Sequence, residues 1–129
     1  MRFQPKIQVL YSCRGLRRFR WGSMSRIMRL MVLFDLPVTT KAERKAATQF
    51  RQFLLNDGYY MMQYSCYCRI CGSYEMAEKH ERRLQANLPD KGSIRTLLVT
   101  EKQFMRMKIL VGNYAPNERR MQSEQLVLF

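Results

Sequence analysis

Met28-Arg29-Leu30-Met31-Val32-Leu33-Phe34-Asp35-Leu36-Pro37 is the stretch whose reading decides the fold. Leu30 to Phe34 is an unbroken apolar run. A run this short is too brief for an ordinary core helix and suits a strand buried on both faces. Pro37 cannot donate to a sheet ladder, so the strand ends about there. Asp35 then stands where a central strand leaves the sheet, which makes it the first candidate for a working residue.

Beyond Pro37, Thr40-Lys41-Ala42-Glu43 has the T-x-x-E form of a capping box and predicts a helix start. Ala46, Ala47, Phe50, Phe53 and Leu54 recur at three- and four-residue spacing as its apolar stripe, and Gly58 is its stop. Lys41, Arg44, Lys45 and Arg51 fall largely off that stripe, and on sequence alone a solvated face explains them better than a binding face. Residues 59–71 are rich in aromatics and read as strand, broken into two near Gln63-Tyr64. Alternation puts Tyr64, Cys66, Cys68 and Ile70 on one face and Ser65, Tyr67 and Arg69 on the other.

Ser73 is the expected N-cap of a second helix, with Met76, Ala77, Leu84 and Leu88 as its buried stripe. Pro89-Asp90-Lys91-Gly92 is a turn, and Ser93 to Thr100 a strand. Glu101 to Met105 reads as one helical turn, Met107 to Val111 as a further strand, and Gln125 to Phe129 as a short apolar tail of strand character. The order strand, helix, strand, strand, helix, strand is the ferredoxin-like β-α-β-β-α-β pattern of an α+β domain, with extra C-terminal strands. Its helices cover one face of the sheet. The first strand would then present either Met31 and Leu33, or Leu30, Val32 and Phe34, on a bare face. A second copy packed sheet against sheet is the economical cover, which predicts a homodimer, and the tail can pair with the partner's sheet edge.

The chain has 129 residues, the length of one domain, and its 47% hydrophobic content is that of a globular chain. No apolar run approaches the ~20 residues that span a bilayer. The net charge is +13, and residues 1–27 contribute seven basic and no acidic side chains to it. Residues 28–129, the expected folded domain, are basic on their own, so nucleic acid is the first partner to consider. Arg14-Gly15-Leu16-Arg17-Arg18-Phe19-Arg20-Trp21 fits an arginine-rich arm, a transit segment, or residue left by an upstream start, with Met24 and Met28 as later starts. The last reading is favoured, and residues 1–27 are otherwise expected to be disordered. Residues 1–23 have no apolar signal-peptide core, which predicts a reducing cytoplasm with free thiols.

As a strand-end carboxylate, Asp35 can ligate a hard divalent cation for phosphate chemistry, and a two-fold dimer through the first strands would bring a second Asp35 to the same ion. On the residues alone, an aspartate that caps or turns the chain before a helix is the simpler account. Cys66, Cys68 and Cys71 with His80 do not make a zinc pattern, because there is no second C-x-x-C and Cys71 alternates to the other face. His80 reads as a surface residue between Lys79 and Glu81, and without a partner it supports no His-based nucleophile system.

The strand ending Phe34-Asp35-Leu36-Pro37 resembles the opening of the CRISPR-associated "Cas-two" family, the small subunit of the spacer-acquisition complex. The likeness continues through Glu43-Arg44-Lys45, Phe50 to Leu54, Asp57-Gly58-Tyr59, Gln63 to Tyr67, Lys91-Gly92, Val99 to Phe104 and the tail around Leu126-Val127-Leu128, and is nearest to type II members. The resemblance implies a ferredoxin-like homodimer that bridges "Cas-one" integrase dimers, binds double-stranded DNA as spacer precursor, and serves adaptive immunity by acquiring spacers. It also implies a magnesium-dependent endonuclease acting on single-stranded RNA or on DNA, or, alternatively, a scaffold with no chemistry of its own. Asp35 matches the family's metal ligand, which turns the balance towards one Mg2+ shared by two protomers. Ser65 and Tyr67 match its S-x-[FY] segment, and Arg44 a basic position in the first helix.

Overall fold

The computed structural model describes residues 27–115. The readings made of residues 1–27 therefore lie almost wholly outside the described residues, and that of the Gln125–Phe129 tail wholly so. Strand β1 spans Met28–Asp35 and occupies an inner position of a four-stranded sheet whose order is β2-β3-β1-β4. β2 is Tyr60–Gln63, β3 is Cys66–Cys71 and β4 is Ser93–Thr100, each antiparallel to its neighbours. Helices α1 (Lys41–Asn56) and α2 (Tyr74–Gln85) lie on one face. This is the ferredoxin-like arrangement.

Local signals place the elements. The Thr40 hydroxyl accepts from the Glu43 amide at 3.1 Å, and the Glu43 carboxylate accepts from the Thr40 amide at 3.0 Å, so the expected capping box starts α1. Gly58, at φ +91°, ends it in the left-handed region that a side chain resists. Ser73 caps α2 through the Met76 amide at 3.1 Å.

Alternation along β1 sorts its side chains. Leu30, Val32 and Phe34 face the helices and pack with Phe50, Leu54, Ala77 and Leu84. Phe34 meets Phe50 edge-on at 5.2 Å and stacks on Tyr67 at 5.6 Å. Arg29, Met31, Leu33 and Asp35 take the other face. That face is not bare along its whole length, as the sequence suggested. A short helix α3, Glu101–Phe104, follows β4 and folds back over one end of the sheet. Phe104 packs there with Met31, Tyr60 and Cys68, all buried. Arg29, just outside the apolar run, is the anchor. It is 1% exposed, donates to both Glu101 oxygens at 2.7 and 2.9 Å and to the Tyr60 hydroxyl at 2.8 Å, and lies over the Phe104 ring. Only the other half of the face, around Leu33 (40% exposed) and Leu97 (51%), stays open.

Two expectations are corrected. Met107 to Val111 is not a strand, and Leu110 and Val111 are almost fully exposed. A β-like composition makes no strand without a ladder to join, and none of the described strands pairs with it. His80 is not a surface residue. It shares the buried face of α2 with Ala77 and Leu84 at helical spacing. Its Nδ1 lies 3.1 Å from a buried Asp57 carboxylate, whose other oxygen takes Arg83 at 2.8 Å. A buried imidazole is tolerable when a carboxylate at hand satisfies it.

Candidate metal and nucleic-acid site at the end of the central strand

Asp35 is the last residue of β1 and is exposed. Its Cα partner in β4 is Ser93, and residues directly opposed in an antiparallel pair share a face. On the β3 side, the Tyr64-Ser65 turn closes the β2–β3 hairpin, and the Ser65 carbonyl accepts from the Phe34 amide at 3.0 Å. Asp35 is thus flanked by a turn on one side and by the start of β4 on the other.

Two backbone features hold this corner. Gly92 has φ +106°, and a Cβ there would stand 2.8 Å from the Asp35 carbonyl oxygen. Only glycine lets the chain enter β4 this close to Asp35. Ser65 has φ +63°, an uncommon conformation for a non-glycine residue.

The Asp35 carboxylate forms no ion pair and no hydrogen bond with another described residue. No group of three or more His, Cys, Asp or Glu side chains that could hold a metal occurs among the described residues. Among the described residues, this corner therefore offers a single carboxylate per copy. That donor fits Mg2+, which keeps several waters and binds through one or two carboxylates, and does not fit an ion that demands a full protein cage.

The remaining sequence candidates divide. Ser65 lies at the Asp35 corner. Tyr67 does not: it is 4% exposed, within the core against Phe34, and has no route to a ligand. Alternation put Tyr67 on one face with Ser65, but Ser65 falls in the turn ahead of β3, and which face the helices take is a tertiary matter. Lys41, Arg44, Lys45 and Arg51 are all exposed on α1, across the sheet from the Asp35 face. Arg44 is partly committed, since it donates to the Val38 and Thr39 carbonyls at 3.2 and 2.9 Å and ties the β1–α1 connection.

The cysteines serve packing. Cys71 lies under the helices, whereas Cys66 and Cys68 lie on the opposite face. Burial pushes the Cys68 thiol up to about 11 and raises Cys71 as well, so both stay protonated at neutral pH. A groove of about 160 Å3 between Leu36, Ala46 and Pro89 is mainly apolar, and the polar side chains at its lining include Thr40 and Glu43 of the α1 capping box and Lys91, which pairs with Glu43. No helix among the described residues is long and apolar enough to cross a membrane.

A ferredoxin-like domain with a lone carboxylate at the exit of an inner strand is the class that fold and site define. The sequence profile of the CRISPR associated protein Cas2 matches residues 28–107. The chain belongs to this CRISPR-associated family. It is 55% identical over 102 residues to the "CRISPR-associated endoribonuclease Cas2" of Acidovorax ebreus (strain TPSY), a match that covers 79% of this chain and all of that protein. The protein of the same name from Ligilactobacillus salivarius (strain UCC118) is 43% identical, over 78% of this chain and all of the relative. That of Flavobacterium psychrophilum is 45% identical, over 78% of this chain and 86% of the relative.

Proposed function

We propose that this protein is a metal-dependent endonuclease of CRISPR immunity, and that Asp35 is its metal ligand and catalytic residue. The observation that carries this reading is the free, exposed carboxylate at the end of β1, in a chain whose relatives are named endoribonucleases. Asp35 from each of two copies holds one Mg2+. When bound, the ion supplies charge neutralisation at the phosphodiester and a more acidic water. Asp35 positions that charge, Ser65 and Gly92 keep the corner in shape, and Leu33 presents an apolar wall beside it.

The homodimer reading is supported by the open half-face around Leu33 and Leu97 and by the outer edge of β4, to which no described strand pairs. A tail containing Leu126-Val127-Leu128 suits pairing with such an edge.

A second role has its own support. Lys41, Lys45 and Arg51 are exposed on α1 and enter no ion pair with a described residue, in a chain of net charge +13. This layer binds double-stranded DNA through its phosphates, and the dimer spaces the "Cas-one" integrase during spacer acquisition in the cytoplasm. The test is Asp35→Asn, assayed for cleavage of single-stranded RNA and of DNA with Mg2+, and for spacer acquisition with the integrase. Loss of cleavage with acquisition retained separates the two roles. A wild-type protein that cleaves neither substrate across pH and divalent metals leaves the scaffold alone.

A further inference from the structure

We propose that the groove beside the start of β4 is the docking site for the C-terminal tail of a second copy, with the Phe129 ring as its anchor. This rests on the reading that the tail pairs with a partner's β4 edge.

The groove stands where that edge begins. It is lined by the turn Pro89 to Lys91, which leads into β4, by Ala46 and Ala47 of α1, and by Leu36 at the exit of β1. A Cβ at Gly92 would stand 2.7 Å from Leu36 Cδ2, so Leu36 lies directly against the entry to β4. Groove and strand edge are continuous along the chain.

Its chemistry calls for an apolar occupant. The polar side chains at the rim are engaged with one another: the Glu43 carboxylate accepts from the Thr40 amide at 3.0 Å, and Lys91 pairs with Glu43 at 3.6 Å. Among the lining residues Glu43 and Asp90 outnumber Lys91, a balance that repels a phosphate. The groove holds about 160 Å3. A dry cavity of about 150 Å3 takes a benzene ring, so one aromatic side chain matches the space.

The tail brings that ring, and the docking explains its composition. Leu126-Val127-Leu128-Phe129 is apolar at consecutive positions, so as a strand it carries apolar side chains on both faces. The β4 edge has a use for each. Ile94 and Leu98 face the helices and are only half-buried there, whereas Leu97 is 51% exposed on the other side. A tail antiparallel to β4 runs from the Thr100 end towards Ser93 and Lys91. Val127 and Phe129 then share the helix side, where Phe129, furthest along, comes to the groove. Leu126 and Leu128 take the other side and cover Leu97. Fourteen residues lie beyond Ala115 and reach about 46 Å when extended, enough to cross to a second copy.

The test uses the full chain with p-benzoylphenylalanine in place of Phe129. Equal amounts of 15N-labelled and unlabelled protein are mixed, irradiated and digested. Cross-links are expected from the tail of one isotope to peptides of the other that contain Ala46 or Lys91. Cross-links confined to one isotope overturn the assignment to a second copy. Cross-links that fall on Ile94 to Leu98 and spare the groove overturn the anchor and leave the edge reading standing. Cross-links to neither element overturn both.

Sedimentation supplies an independent readout. Phe129→Ala should weaken dimerisation about tenfold, the loss expected for one buried ring. Ala46→Leu, which fills the groove, should weaken it by a similar factor with the urea midpoint unchanged. The double variant should be no weaker than either alone, because both changes remove one contact. Fully additive losses, or no loss in either variant, overturn the proposal.

Discussion

Two tyrosines three residues apart do opposite work. Tyr67 is 4% exposed and stacks on Phe34, whereas Tyr64 is 91% exposed. Tyr67→Ala should therefore cost about 3–5 kcal/mol of stability, read from urea unfolding, while the fraction that remains folded binds nucleic acid as wild type does. Cys68 gives a pH dependence with a definite sign. Burial first, against weaker help from Tyr60 and Arg29, raises its thiol from 9.0 to about 11. The folded state thus keeps a proton that the unfolded chain releases. The stability this carries is complete below about pH 9 and is lost as pH rises towards 11. The urea midpoint of wild type should fall more steeply across that window than that of Cys68→Ala.

At the scale of elements, the start of α1 and the entry to β4 hold the Asp35 corner from two sides. The Glu43 carboxyl is held below its usual range by the Thr40 amide first, then by the Thr39 amide and Lys91. Its contribution is present above about pH 4.5 and is lost as pH falls through the lowered value. Amide exchange at the first turn of α1 should accelerate below that pH, and Glu43→Gln should flatten the response. The entry to β4 depends on Gly92. Gly92→Ala meets both a left-handed backbone and the Asp35 carbonyl. It should lose about 1–3 kcal/mol by thermal melting, with cleavage falling further than stability explains because Asp35 is displaced. These elements were legible in residues: Thr40 with Glu43, Ser73, and the alternating β3 each named its own structure. Met107 to Val111 shows the limit, since a strand needs a partner that composition does not provide.

At the scale of the molecule, α3 decides how much of the sheet is left open. Arg29 is fully buried and its charge is retained: burial works against it, and the fork onto Glu101 outweighs that. Glu101→Gln leaves a buried guanidinium short of its counter-charge and should cost about 2–3 kcal/mol in chemical unfolding. It should also raise binding of an apolar dye, as Phe104 lifts from Met31. The strip that remains open, Leu33 and Leu97, is where a second copy would sit. Leu33→Glu should shift the protein to monomer in analytical ultracentrifugation with little loss of fold, because Leu33 lies outside the core packed under the helices.

The sequence by itself determined the strand through Leu30 to Phe34, the capped helix after it, the hairpin break near Gln63-Tyr64 and the family. Each of these is a local pattern, written in periodicity, caps and turns. It also pointed to Asp35, through a position at a strand end and a resemblance. Only the tertiary structure decided which face each alternating set takes, and so buried Tyr67, exposed Tyr64 and drew His80 onto Asp57. Only it set Ser93 and Arg95 beside Asp35, because strand register joins residues some sixty positions apart. Pairing partners and burial depend on what the rest of the chain brings alongside, and no single stretch carries that information.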